Sequence, residues 1–320
     1  MDPLSKRLNS MFPKVQIPLS DQKSYSTNHL LFIDDLKILA EKEETLQIIT
    51  TETKRFFSII RLEMNIEKSA TNSLISINDA VLMNNNDCYK YLGIIEDKTS
   101  KPTKANWDLI TKKIKKRIDM LCKTNLNGTN LMRAINEYAM SLLNYYIGLL
   151  DIEPEFFKKL STKFRQIFNI TWNSFYNLLV KKDYILTEKN LGRGLASAEY
   201  KSETMLLKLK LQFESTRKVY LRRDAILKIQ SEGKTHFSTI EKFISEKYSL
   251  EGNLIEQLED AQRSKLINEI KTRFHHKKLI VGLENELVSP KNSSMWIHKG
   301  NNSARQEGKL CFLQDGNIFF

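Results

Sequence analysis

Two adjacent aspartates, Asp34 and Asp35, stand at the centre of "HLLFIDDLKILA", residues 29–40, a run dominated by apolar residues. Carboxylates inside strand-like text need a reason, because an unpaired buried charge is costly. A solvated turn supplies one reason and a bound cation another. Carboxylate oxygens are hard ligands, and Mg²⁺ takes one or two of them while keeping waters and substrate phosphate. Two such ions, about 3.5–4 Å apart, drive in-line phosphoryl transfer in polymerases. Asp34 and Asp35 are therefore candidate catalytic residues and metal ligands, with a plain turn as the competing reading.

The elements needed to present them can be read around them. His29–Ile33 and Leu36–Ala40 predict two short strands with the acids at the tip, since aspartate tolerates turn geometry. In "EKEETLQIITTETKRFFSIIRLEMN", Leu46, Ile49, Thr53, Phe56 and Ile60 recur at helical steps behind an acidic start. "SLISI", "AVLM" and "YKYLGII", between residues 70 and 97, return to strand text broken by Asn and Asp. From Trp107 the chain reads as helix. "DLITKKIKKRIDMLCK" places Leu109, Ile114, Ile118 and Leu121 on one side and Lys112, Lys113, Lys115, Lys116 and Arg117 around the rest. "TNLMRAINEYAMSLLNYYIGLL" predicts one longer apolar helix, and Pro154 suits a first helical position. "GRG" at 192–194 predicts a turn, and residues 201–284 are again helical and lysine-rich. The fold class expected is α+β, mainly helical, with a small antiparallel sheet first and helices after it. Three parts are expected, at residues 1–100, 101–210 and 211–320.

Composition narrows the functions. The 320 residues are 41% hydrophobic with a net charge of +12, enough for a core and against disorder. Residues 1–100 hold 12 basic and 14 acidic side chains, so the basic excess lies entirely downstream. A segregated positive field suggests a polyanionic partner, most often nucleic acid; a solvated lysine-rich surface is the plainer reading. No apolar run approaches the roughly 20 residues of a membrane span, and "MDPLSKRLNSMFPK" lacks the apolar core of a secretory signal. Cys88, Cys122 and Cys311 are far apart, which fits a reducing compartment. The expected location is intracellular, in nucleus or cytoplasm, and not secreted.

"LLFIDDLKILA" resembles the hydrophobic-x-Asp-Asp hairpin of reverse transcriptases, with Phe32-Ile33-Asp34-Asp35 as the motif. The continuation "LKILA" is similar to the non-LTR retrotransposon branch with a C-terminal restriction-like endonuclease. Further segments follow in that family's order: "LEMNIEKSA" (62–70), "YKYLGIIED" (89–97), "NEYAMSLLNYYIG" (136–148), "NLGRGLASAE" (190–199) and "SSMWIHKGNNSARQEGKLCFLQD" (293–315). "MDPLSKRLN" (1–9) resembles the helix after the family's Gln-Gly-Asp-Ser motif. The resemblance implies a partial palm at 1–100, a helical thumb at 101–210 and a helical connector at 211–320. It implies RNA-directed DNA polymerase chemistry with Mg²⁺, an RNA template, a DNA primer and nucleoside triphosphates. It also places the fingers and the third catalytic aspartate before residue 1, and a zinc knuckle and nuclease after Phe320. The chain is then expected to be a weak metal site and inactive alone. A non-enzymatic nucleic-acid-binding protein or a non-functional remnant is the alternative.

The resemblance also assigns roles. Lys68 would act as general acid toward leaving pyrophosphate or stabilise its charge; a lysine complementing a helix C-terminus is the equal alternative. Tyr91 and Gly93 would position a primer strand, while also serving as a packed tyrosine and a tight-turn glycine. Lys112, Lys113, Lys115, Lys116 and Arg117 offer phosphate contacts, or a solvated helix face. Arg193 fits a phosphate contact or a plain turn. Tyr138, Tyr145, Tyr146, Phe156 and Phe157 are expected in the core rather than as stacking platforms. His275, His276 and His298 lack partners at metal-ligand spacing, and Trp296 is expected as a core anchor.

Overall fold

The computed structural model describes residues 2–20, 23–74, 77, 80–124, 126–172, 194–215 and 220–272, with scattered positions between 284 and 309. Arg193, His275, His276, Trp296, His298 and Cys311 lie outside the described residues.

In chain order the elements are α1 (Asp2–Met11), β1 (Val15–Ser20), β2 (Lys23–Thr27), β3 (His29–Phe32), β4 (Asp35–Ile38), α2 (Glu43–Ile59) and a 3₁₀ turn at Ile66–Lys68. Then come β5 (Ala70–Thr71), β6 (Val81–Leu82), β7 (Cys88–Tyr91), β8 (Ile94–Asp97), α3 (Ala105–Cys122), α4 (Gly128–Ala134), a π-helical turn at Ile135–Met140 and α5 (Leu142–Tyr146). The series closes with α6 (Pro154–Trp172), α7 (Ala198–Ser215), α8 (Leu221–Glu232), α9 (His236–Tyr248) and α10 (Leu254–Lys271). The fold is α+β and mainly helical. Among the described residues no helix is long and apolar enough to cross a membrane.

The chain forms two compact units, residues 1–108 with 217–229, and residues 109–216 with 230–320. In the first unit the strands make four separate two-stranded sheets. Three are antiparallel hairpins. The fourth, β5 with β6, is parallel, which the expected antiparallel sheet did not include. It arises because the chain between Thr71 and Val81 returns to the start of β5, where the Val81 amide donates to the Ser69 carbonyl.

The core of this unit follows from two periodicities. Leu4 and Leu8 lie one helical turn apart on α1 and meet Ile49 and Phe57 of α2, with Leu36 and Ile38 packed against them. β4 reads Asp35-Leu36-Lys37-Ile38, so alternation sends Leu36 and Ile38 into that core and leaves Asp35 and Lys37 on the other face. The buried stripe of α2 is Ile49, Thr50, Thr53 and Phe57; Ile60, read from periodicity as part of it, is exposed beyond the helix end.

Asn28 and His29 fasten the acid hairpin to α1. The buried Asn28 amide donates to the Leu8 and Phe12 carbonyls, at 2.8 and 3.3 Å. Its oxygen therefore faces His29 Nδ1 at 2.7 Å, making that nitrogen the donor and leaving Nε2 to accept from the Ser5 hydroxyl at 2.8 Å. The ring is held neutral: burial, then Lys14, pushes its pKa below the ordinary 6.5. Such a group contributes stability in full above pH 6.5, and the contribution is lost as pH falls through the folded value. Urea unfolding between about pH 5 and pH 8 should show that acid-side loss in the native chain, with a flatter profile in His29→Gln.

The second unit is helical throughout its described part. On α3, Ile110, Ile114, Ile118 and Cys122 are buried at four-residue steps. Ile114 and Ile118 are buried as expected, but the stripe ends on Ile110 and Cys122 rather than on Leu109, which is exposed, and Leu121, which is half-buried. Burial, then Asp119, pushes the Cys122 thiol up to about 12, which fits a core residue rather than a nucleophile. The helix expected over 129–150 runs from Gly128 to Tyr146 but is not α-helical throughout. A π-helical turn buries Ile135, Ala139 and Met140, α5 follows, and Gly148 at φ 91° ends the segment. A side chain on Gly148 would meet Leu209 at 2.6 Å, so the close approach of α7 requires glycine there. α6 does begin at Pro154.

Candidate metal-binding turn and basic helix

The acidic pair lies on a two-residue hairpin. Phe32 pairs with Asp35, so the loop is Ile33-Asp34, and Asp35 is the first residue of β4. The tip is therefore one residue earlier than the sequence suggested. A two-residue loop between right-twisted strands favours positive φ at its first position. Ile33 takes it, at φ 54°. A β-branched residue there is strained, and such strain gathers at functional sites. Phe32 and Ile33 are also 58% and 71% exposed. Asp34 and Asp35 are both exposed, and their carboxylates have no ion pair or side-chain hydrogen bond among the described residues. Two unengaged carboxylates on neighbouring positions are a donor set that suits a largely hydrated hard cation.

A second hairpin has the same construction. Tyr91 pairs with Ile94 across Leu92-Gly93, and both loop residues have positive φ, 47° and 81°. That is the pattern of a type I′ turn, and it accounts for Gly93. Tyr89 and Glu96 are direct cross-strand partners, so Tyr89, Tyr91 and Glu96 share one face. Burial, then the charges of Asp35 and Glu96, holds both phenols above their ordinary pKa, with Arg222 opposing this at Tyr91. The field of Asp35 thus reaches both tyrosines.

The Lys68 segment joins the same neighbourhood. Asn65 caps the 3₁₀ turn by accepting from the Lys68 amide at 3.1 Å, and the Lys68 carbonyl accepts from the Tyr89 hydroxyl at 2.8 Å. The Lys68 side chain is exposed. A cleft of about 390 Å³ runs beside these elements, lined by Lys37, Thr71, Asn72, Tyr89, Tyr91 and Glu96 among others. Asp34 and Asp35 are not in its lining. Three of the sequence-assigned segments, at 34–35, 68 and 91–93, are therefore connected within one unit.

Lys37 and Glu96 were not among the sequence candidates. Lys37 Nζ lies 2.5 Å from Glu96 Oε2 and 5.2 Å from the centroid of the Tyr91 ring. The available signal was the alternation of β4, which puts Lys37 on the same face as Asp35. Nothing local to residue 96 named its partner.

In the second unit, Lys112, Lys113, Lys115 and Lys116 are exposed on α3 and have no ion pair among the described residues. Arg117 differs from them. Its guanidinium lies 4.2 Å from the centroid of the Tyr138 ring and donates to the Tyr138 carbonyl. Tyr138 and Tyr145 are 46% and 48% exposed rather than in the core. Phe157 is buried as expected.

Neither a protein-family model nor a curated protein matches this sequence.

Proposed function

We propose that this chain belongs to the reverse-transcriptase lineage of non-LTR retrotransposons, with residues 1–100 as part of a palm and the helices after it as thumb and connector. In that reading Asp34 and Asp35 would hold Mg²⁺, and the ion would supply charge neutralisation for nucleotidyl transfer in RNA-templated DNA synthesis. The chain's own residues do the positioning. The β3–β4 hairpin carries the acids at an exposed tip. Lys68 offers a cation for developing negative charge. The Tyr91-Leu92-Gly93 turn offers a rigid rest for a primer strand, and the lysines of α3 offer phosphate contacts.

The observation that supports this best is the acid turn itself. A hairpin with a strained, exposed two-residue tip ends in two carboxylates that no other described side chain uses. A hairpin tip needs no such strain for folding alone; Asn-Gly would form it without cost. The proposal includes inactivity of this chain by itself, since two adjacent carboxylates fix one ion weakly and a two-ion mechanism needs a third.

Mn²⁺ titration followed by water proton relaxation tests the metal reading. Weak binding that Asp34→Ala removes is the expected result, and binding equal in both forms would refute it. Primer extension on an RNA template tests the inactivity. Extension by this chain that Asp34→Ala abolishes would overturn that part and strengthen the lineage.

A further inference from the structure

We infer that Lys37 is a positioning residue, a latch that holds the acidic turn at a fixed place relative to the Leu92-Gly93 turn. The inference deepens the metal reading of Asp34 and Asp35, and rests on it for the consequence at the metal but not for the latch.

The two hairpins share no ladder. β3 pairs with β4 and β7 with β8, in separate sheets. Their mutual position is therefore set by side chains. Period-two geometry puts Asp35 and Lys37 on the face of β4 turned away from the core of Leu4, Leu8, Ile49 and Phe57. The same geometry puts Tyr89, Tyr91 and Glu96 on one face of the second hairpin. Lys37 crosses between the two faces, with its ammonium at 2.5 Å from Glu96 Oε2 and its charge over Tyr91.

Both partners are mostly covered, with side chains 23% and 15% exposed, so water does little to loosen the pair. Glu96 is itself held, because the preceding strand residue, Ile95, donates to and accepts from the Asn106 side chain, at 2.8 Å each. The anchor end is thus stiff and the acid end is a two-residue loop. Asp34 lies three residues from Lys37, about 10 Å along a strand. Releasing the ammonium lets the hairpin pivot, and the carboxylates move with it. The stem of Lys37 packs whether or not the charge is present, so the charge, not the bulk, carries the function.

The test uses the full chain as wild type, Lys37→Met, Glu96→Gln and the exchanged pair Lys37→Glu with Glu96→Lys. Amide hydrogen exchange over residues 29–38 should quicken at least ten-fold in each single variant and return to within three-fold of wild type in the exchanged pair. Exchange in α2, in the same unit, should not change, which shows that the variants are folded. Mn²⁺ affinity should weaken at least five-fold in the single variants and recover in the exchanged pair, an outcome that a packing role would not produce. Wild-type exchange over 29–38 in Lys37→Met, or an exchanged pair no better than its parents, overturns the latch. Asp34→Ala separates the two readings. If it leaves Mn²⁺ binding unchanged, the metal reading fails while the exchange data still decide the latch. If it removes binding and Lys37→Met changes neither readout, the latch fails and the metal reading stands.

Discussion

Glu203→Ala should destabilise the helical unit by about 3–5 kcal/mol, the cost of leaving buried partners of a charge unpaired. In a unit of this size that is a fall of roughly 6–20 °C in Tm. Glu203 is 1% exposed, on α7, and three donors converge on its carboxylate. Lys247 reaches Oε1 at 2.5 Å, and the Tyr248 hydroxyl and the Gln262 amide reach Oε2 at 2.7 and 2.9 Å. Lys247 also pairs with Glu199 at 2.6 Å, so α7, α9 and α10 are tied at one point. Glu203→Gln keeps the volume but turns an amide toward groups that all donate, so it too should cost stability. Removing several members together should cost less than the sum of single losses, because the penalty is for stranded partners. Urea unfolding should show a lower midpoint with an unchanged slope. A midpoint equal to wild type in Glu203→Ala would mean that the network forms no part of the stable core.

The network also fixes an alkaline limit. Burial alone would lower the Lys247 ammonium, but Glu203 and Glu199 outweigh it and hold its pKa above the ordinary 10.5. Burial, then Glu203, raises the Tyr248 phenol far above its ordinary 10.0. In both cases the folded state keeps a proton that the unfolded chain gives up. The stabilisation is therefore complete below about pH 10 and is lost as pH rises beyond it.

How much of this could be read from the sequence depends on whether the determining contacts were local. The acid hairpin was legible because alternation and turn chemistry act over ten residues, yet its tip was placed one residue late. Aspartate was taken for the turn former, whereas pairing of Phe32 with Asp35 gives the left-handed position to Ile33, a residue no propensity would choose. The helix of 105–122 was legible, and so were Ile114 and Ile118 at the centre of its buried stripe, but the ends of that stripe were not. Leu109 and Ile110 are equally apolar, and only the packing partners decide which turns inward. The change to π-helix at Ile135–Met140 had no local warning, since the segment contains neither Gly nor Pro. Glu203 and Lys247 are 44 residues apart, and Lys37 and Glu96 are 59 apart. Each is an ordinary surface-type residue by composition, and the fold alone makes it a buried partner. Chemistry carried by adjacent residues was therefore readable, and chemistry assembled across the chain was not.

Replacing Lys112, Lys113, Lys115 and Lys116 together by Gln should remove most of the salt-sensitive binding of nucleic acid. Each phosphate neutralised contributes about −0.9 to the slope of log K against log salt for duplex, and about −0.7 for a single strand. Four contacts thus account for about 3–4 in that slope, which is roughly a 100-fold loss of affinity between 50 and 200 mM salt. The quadruple variant should lose that share of the slope and bind more weakly at low salt. The four side chains are exposed and without ion pairs among the described residues, so their replacement should barely change stability. Arg117→Met should change the slope less, because its guanidinium is committed to the ring and carbonyl of Tyr138. Filter binding with one RNA, across a salt series, makes the measurement. A wild-type affinity indifferent to salt, or a quadruple variant with an unaltered slope, would remove α3 as the phosphate-contacting face. Lysine on a solvated helix is common, so charge by itself says little. The four lysines have no ion pair among the described residues, whereas Lys210 and Lys247 of the same unit are paired with carboxylates.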